Sequence, residues 1–157
     1  MRSVTIMSLT WDEYFMAQAQ LAASKSKDNS TKVGAILVRN NNAFSTGYNG
    51  FPRYCNDNVP ERHERPLKYD WTVHSELNAI LNAAREGFRT EGSTMYVTLH
   101  PCKECAKAIA QAGIREVVFL SDDNPRFDFV LAKQILAESK VYVRKFGEVP
   151  ELLYHPV

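Results

Sequence analysis

Periodic and alternating apolar positions divide the chain into a short series of elements. Thr10 has the side chain of a helix N-cap, and Glu13 sits three residues on, the spacing of a capping box. Tyr14, Phe15, Ala19 and Ala22 recur near helical spacing behind it, which predicts a first helix from Trp11 to Ser24. A polar, turn-rich loop, SKSKDNST, follows. Val33 to Val38 (VGAILV) reads as a buried strand, Asn40-Asn41-Asn42 as a hairpin turn and Ala43 to Tyr48 as the partner strand. That strand ends in the run Gly47-Tyr48-Asn49-Gly50. Residues Phe51 to Thr72 hold Pro52, Pro60, Pro66 and many charges without a period, as functional or partner-ordered loops do. Beyond it, helix and strand alternate. Helix Ser75 to Arg85 is closed by Gly87, and strand Thr94 to Leu99 follows. Helix Lys103 to Ala112 is stopped by Gly113, and strand Glu116 to Leu120 comes next. Helix Phe127 to Glu138 and strand Val141 to Phe146 complete the series. The order predicts an α/β layered sheet with helices on both faces. The tail from Gly147 to Val157 is free to dock on the domain or on a neighbouring subunit.

Length and charge narrow the function classes. The 157 residues suit one domain, 1–157, with enough apolar content (45%) for a real core. Nineteen basic against eighteen acidic residues leave a net charge of +1, without the basic excess of a duplex-nucleic-acid or membrane-surface binder. No apolar run reaches the roughly 18 residues of a membrane span, and the first residues lack a secretory pattern. Three cysteines, two of them close together, suit a metal site in a reducing compartment, the cytoplasm, better than a disulfide framework.

The chemistry concentrates in two motifs. His74-Ser75-Glu76 opens one predicted helix, and Pro101-Cys102-Lys103-Glu104-Cys105 opens the next. In a layered α/β sheet such strand-end crevices are where ligands bind. Cys102 and Cys105, three apart, share one face of the first turn, where the helix dipole favours thiolate. Zinc takes tetrahedral N and S ligands, so His74, Cys102 and Cys105 supply three and leave the fourth position for water, the catalytic pattern. Glu76, two residues from His74, is placed to take a proton from that water and return it to a leaving group.

His-x-Glu followed by Pro-Cys-x-x-Cys is the signature of zinc-dependent nucleobase deaminases. VGAILV, GYNG, HSELNAILNAAREG and LHPCKECAKAI resemble the deoxycytidylate deaminase family over about Lys25 to Phe146, as do Ser26-Lys27-Asp28 and Leu67-Lys68-Tyr69. The chain departs from that family twice. Ser75 stands where Ala is usual, and Asp122-Asp123-Asn124-Pro125-Arg126 stands where relatives often carry a Tyr, at the phosphate end of the substrate site. The resemblance implies a three-layer helix–sheet–helix fold with a central mixed sheet of about five strands. It also implies hydrolytic deamination of dCMP to dUMP and ammonia, supplying dUMP for thymidylate synthesis. Zinc lies on His74, Cys102 and Cys105, with Glu76 as the proton carrier. A homo-oligomer is implied, a hexamer by resemblance, with dCTP as activator and dTTP as inhibitor, the triphosphate carrying Mg2+. Asp28, Gly47, Tyr48 and Gly50 become the candidates for that effector site.

The remaining candidates each have a plainer alternative. Asn49, a polar amide at a strand end, is placed to grip a sugar hydroxyl. Ser26 and Lys27 are candidates for the substrate phosphate, against a solvated face for the Lys25, Lys27, Lys32 cluster, and Thr98 completes the substrate-binding set. Cys55 and His63 offer two ligands to a second zinc, which is too few on their own. His100 reads as a wall residue. The enzymatic alternatives are the same chemistry on dCTP, on a free nucleoside or on nucleic acid. A non-catalytic alternative is a zinc-stabilised nucleotide-binding module, which has no use for Glu76.

Overall fold

The computed structural model describes residues 7–148; the tail from residue 149, expected to dock, lies outside them. Helix α1 runs over Trp11–Ala23. Thr10 caps it as its spacing predicts: the hydroxyl accepts from the Glu13 N–H at 3.2 Å and donates to the Glu13 carboxylate at 2.9 Å. Strands β1 (Gly34–Arg39) and β2 (Asn42–Tyr48) form the expected hairpin. Its turn is Asn40-Asn41 with φ of 53° and 55°, a left-handed pair that asparagine tolerates and that matches the strand twist.

Residues 51–72, expected to lack structure, contain a short 3-10 turn (Pro60–His63) and the one-turn helix α2 (Lys68–Trp71). The rest alternates as predicted: α3 (Ser75–Glu86), β3 (Thr94–Leu99), α4 (Lys103–Gln111), β4 (Glu116–Ser121), α5 (Val130–Glu138) and β5 (Tyr142–Lys145). Gly87 takes φ 74°, the left-handed C-terminal conformation that stops α3. Helix α5 starts three residues later than its composition suggests. Asp128 caps the Val130 N–H at 2.9 Å, so Phe127 and Phe129 belong to the preceding loop.

The five strands form one sheet in the order β2-β1-β3-β4-β5. β1 is antiparallel to both β2 and β3, while β3, β4 and β5 are parallel. Alternation along the central strands makes two apolar layers. Leu37, Met95, Val97 and Val117 meet Ala83, Ile109 and Leu136 of the helices α3, α4 and α5. Ile36, Val38, Tyr96 and Val118 meet Phe15, Met16 and Ala19 of α1 on the other face. The result is a helix–sheet–helix sandwich.

Two glycines set the helix-to-sheet distance. A Cβ on Gly34 would lie 2.0 Å from the Ala19 carbonyl oxygen of α1, and one on Gly47 would lie 2.2 Å from the Ser75 carbonyl oxygen of α3. Arg144 of β5 ties down α1 from the far edge. Its guanidinium bonds both carboxylate oxygens of Asp12 and Glu116 at 3.4 Å, and Tyr96 donates to Asp12 at 2.7 Å.

Candidate active site

Two helix starts meet at the carboxyl ends of β3 and β4. His74 is the residue before α3 and Cys102 the residue before α4, both in extended backbone, with Cys105 one turn into α4. His74 Nδ1 lies 3.4 Å from Cys102 Sγ and 3.6 Å from Cys105 Sγ. All three donor atoms lie within 4.8 Å of one another, and this is the one such group of three or more among the described residues. Tetrahedral zinc with N and S bonds of 2.0–2.3 Å requires edges of about 3.5 Å. The donor set and its spacing therefore fit zinc. Cys55 and His63 join no such group among the described residues. His63 instead stacks on Phe51 at 4.6 Å with its Nε2 at the Asp57 carbonyl.

The three donors do not titrate alike. The Cys102 thiol is held down by hydrogen bonding from Cys105 and His74, against burial. The Cys105 thiol is pushed up by its bond to Cys102 and by burial. His74 is pushed up by its bond to Cys102, with the Glu76 and Cys102 charges adding and burial opposing. Glu76 is 4% exposed, and its Oε1 accepts from the Ser75 hydroxyl.

The motif opens onto a cleft that reaches from the donor triangle to the 65–72 segment. Its walls come from five places: the loop before β1, the end of β2, the 65–72 segment, the end of β3 and the loop after β4. Phe127 stands edge-on to His74, centroids 6.4 Å apart, and stacks on Phe129 at 5.8 Å. It gives the metal end a flat apolar wall. Arg65 and Arg126 stand at the cleft lining, and the Arg126 guanidinium has no acidic partner among the described residues. Arg126 closes the Asp122–Arg126 run that the sequence places at the phosphate end, whereas Arg65 and Phe127 carry no such signal. Phe127 was absorbed into a helix by composition, while Arg65 lies in a segment without a period. His100, read as a wall residue, lines this cleft and is buried at 2%, tilted against Phe119 and Phe129.

Several expected contacts move elsewhere. Ser26 is 2% exposed, and its hydroxyl donates to the Asn49 carbonyl at 2.8 Å, so it braces a turn and does not face the cleft. Thr98 spends its hydroxyl on the Gly34 N–H at 3.1 Å and lies outside the lining. Lys27 pairs with Asp57 at 2.8 Å and is not part of the cleft lining. Gly47 lies within β2 against α3 and not on an open turn. Asn49 does line the cleft, with Oδ1 accepting from the Val33 N–H and Nδ2 donating to the Thr31 carbonyl, both at 2.9 Å. One N–H and one lone pair of that amide remain.

A second cavity adjoins the first. Lys25, Lys27, Tyr48, Gly50 and Asp57 line it, and it shares Asp28, Asn49, Lys68 and Thr72 with the cleft. Asp28 is held below the usual carboxylate value by the Thr31 and Ser30 N–H groups and by Lys68, which together outweigh its burial. Gly50 and Val73 form a two-bond backbone bridge, at 2.8 and 3.1 Å, that links the end of β2 to the residue before His74.

The family model for the cytidine and deoxycytidylate deaminase zinc-binding region matches residues 9–121, and the chain belongs to that family. Among curated relatives, deoxycytidylate deaminase of Homo sapiens is 45% identical over 145 residues, covering 88% of this chain and 80% of its own. Deoxycytidylate deaminase of Enterobacteria phage T4 is 37% identical over 155 residues, covering 72% and 80%. Among solved structures, dCMP deaminase of the cyanophage S-TIM5 in complex with dCMP and dUMP aligns with a TM-score of 0.74 at 28% identity, covering 89% of this chain and 99% of that one.

Proposed function

We propose that the chain, as one deaminase domain over 1–157, converts dCMP and water to dUMP and ammonia, the dUMP supplying thymidylate synthesis. The observation that carries this is a buried Glu76 beside a His74–Cys102–Cys105 donor triangle in a cleft lined by Asn49, Arg65, Arg126 and Phe127. The human relative at 45% identity and the phage T4 relative at 37% are deoxycytidylate deaminases, which supports the same substrate here.

Zinc held by the three donors supplies the Lewis acidity that makes water a nucleophile near neutral pH. The chain's own residues do the rest. Phe127 packs the cytosine ring and Asn49 takes a sugar hydroxyl with its free N–H or lone pair. Arg65 and Arg126 meet the phosphate. Water adds at C4, and Glu76 takes its proton to N3. Glu76 then carries the second proton to the amine, the C4–N bond breaks and ammonia leaves.

Regulation belongs to the same proposal. The second cavity, with Lys25, Lys27, Tyr48 and Gly50, suits a triphosphate carrying Mg2+: dCTP as activator and dTTP as inhibitor. Its shared wall with the cleft supports coupling between the two. Assembly as a homo-oligomer, a hexamer, in the cytoplasm completes the reading; no helix among the described residues is long and apolar enough to cross a membrane. Ammonia release from dCMP, dCTP and deoxycytidine, each with and without a chelator, tests the assignment. Chelator-sensitive release from dCMP above the others supports it, and release from none of them overturns it.

A further inference from the structure

We infer that Ser75 is a positioning residue for Glu76, fixing which carboxylate oxygen faces the reaction; the inference rests on the deaminase reading. Ser75 is the first residue of α3 and is fully buried at 0% exposure. Its backbone is pinned, because its carbonyl sits against β2 where Gly47 lacks a side chain. Its hydroxyl donates to Glu76 Oε1, and no other hydrogen bond of that hydroxyl occurs among the described residues.

A glutamate side chain has three rotatable bonds and two equivalent oxygens. In a buried site, each state that turns the carboxylate away from the reacting atoms costs rate. A donor on the neighbouring residue, on the same pinned turn, removes that freedom. It occupies Oε1 and leaves Oε2 for the substrate side. It also gives a buried carboxylate a hydrogen-bond partner, without which its burial is costly. Ser75 touches neither substrate nor metal in this role; it acts through Glu76.

The experiment compares wild type, Ser75→Ala, Glu76→Ala and the double variant. With dCMP, Ser75→Ala lowers kcat about tenfold, with KM within twofold and one zinc per chain retained. In the metal-stripped chain, denaturant unfolding of the four proteins gives a non-additive cycle. Ser75→Ala shifts the unfolding constant about tenfold when Glu76 is present, and by less than threefold when it is absent. An unchanged kcat, or a shift in the unfolding constant equal in both backgrounds, overturns the inference. Wild type without dCMP turnover overturns the deaminase reading instead, and the unfolding cycle still reports on the Ser75–Glu76 pair.

Discussion

Lys68 and Asp28 form a buried ion pair that stands between the two cavities, with Nζ 3.1 and 3.3 Å from the carboxylate oxygens. The two partners are not equally dependent. Asp28 also accepts from the Ser30 and Thr31 N–H groups at 2.8 and 3.0 Å, whereas the Lys68 ammonium has Asp28 as its one acceptor among the described residues. Stranding a buried charge costs more than removing it. Asp28→Ala therefore destabilises by about 3 kcal/mol and Lys68→Met by about 1–2 kcal/mol in denaturant unfolding. Equal costs, or the reverse order, defeat the partition as drawn.

Glu76→Gln keeps the shape of the side chain and removes its ability to carry a proton. Zinc content measured by emission spectroscopy stays at one per chain, while kcat for dCMP falls at least 10²–10⁴-fold, about the range of general acid–base steps. Normal turnover with the metal intact refutes the role.

Metal loading releases protons. In the metal-stripped chain Cys105 and His74 hold theirs, since both are pushed up, and Cys102 is already a thiolate. Ligation needs a neutral imidazole and two thiolates, so binding one zinc at pH 6 expels about two protons. Calorimetry in two buffers of different ionisation enthalpy counts them. A count near zero removes the charge assignment.

Two glycines of the same run behave oppositely. Gly47→Ala drives a methyl into the backbone of α3 at Ser75 and Ala79, costs about 3 kcal/mol and displaces His74 and Glu76. Gly50→Ala meets nothing nearer than the Tyr48 ring at 3.8 Å and stays within about 0.5 kcal/mol. Thermal unfolding of both variants, with zinc content, reads the contrast.

Acid sensitivity has a local source. Asp12 is held below the usual carboxylate value by its bond to Arg144, with burial opposing and the Tyr96 hydroxyl adding. A carboxyl depressed in the folded state contributes stability above its unfolded value, near pH 4, and loses it as pH falls through the folded value. Wild type therefore loses stability below about pH 4 more steeply than Asp12→Asn. Parallel curves across that range count against the pair.

The sequence carried those parts of the molecule that obey local rules. Thr10 caps α1 because a hydroxyl and a free N–H three residues away need nothing distant, and Asn40-Asn41 turn because both tolerate positive φ. The donor triangle was equally legible, since two helix starts each announce their ligands by spacing. Contacts set by packing were not. Ser26 and Thr98 look available for a ligand until Asn49 and Gly34 arrive from 23 and 64 positions away to take their hydroxyls. Phe127 has helix-like neighbours, yet Asp128 caps the next turn and leaves the ring over His74.

The Arg144–Asp12 pair joins positions 132 apart, so it closes nearly the whole described chain into one loop. Closing a long loop costs entropy that is recovered only when both ends are in place. Helix α1 thus loses a polar anchor when edge strand β5 opens, although Phe15, Met16 and Ala19 also pack on Ile36, Val38, Tyr96 and Val118. In amide exchange, α1 and β5 open together as one unit, while the central strands β1 and β3 hold on to their protons longest.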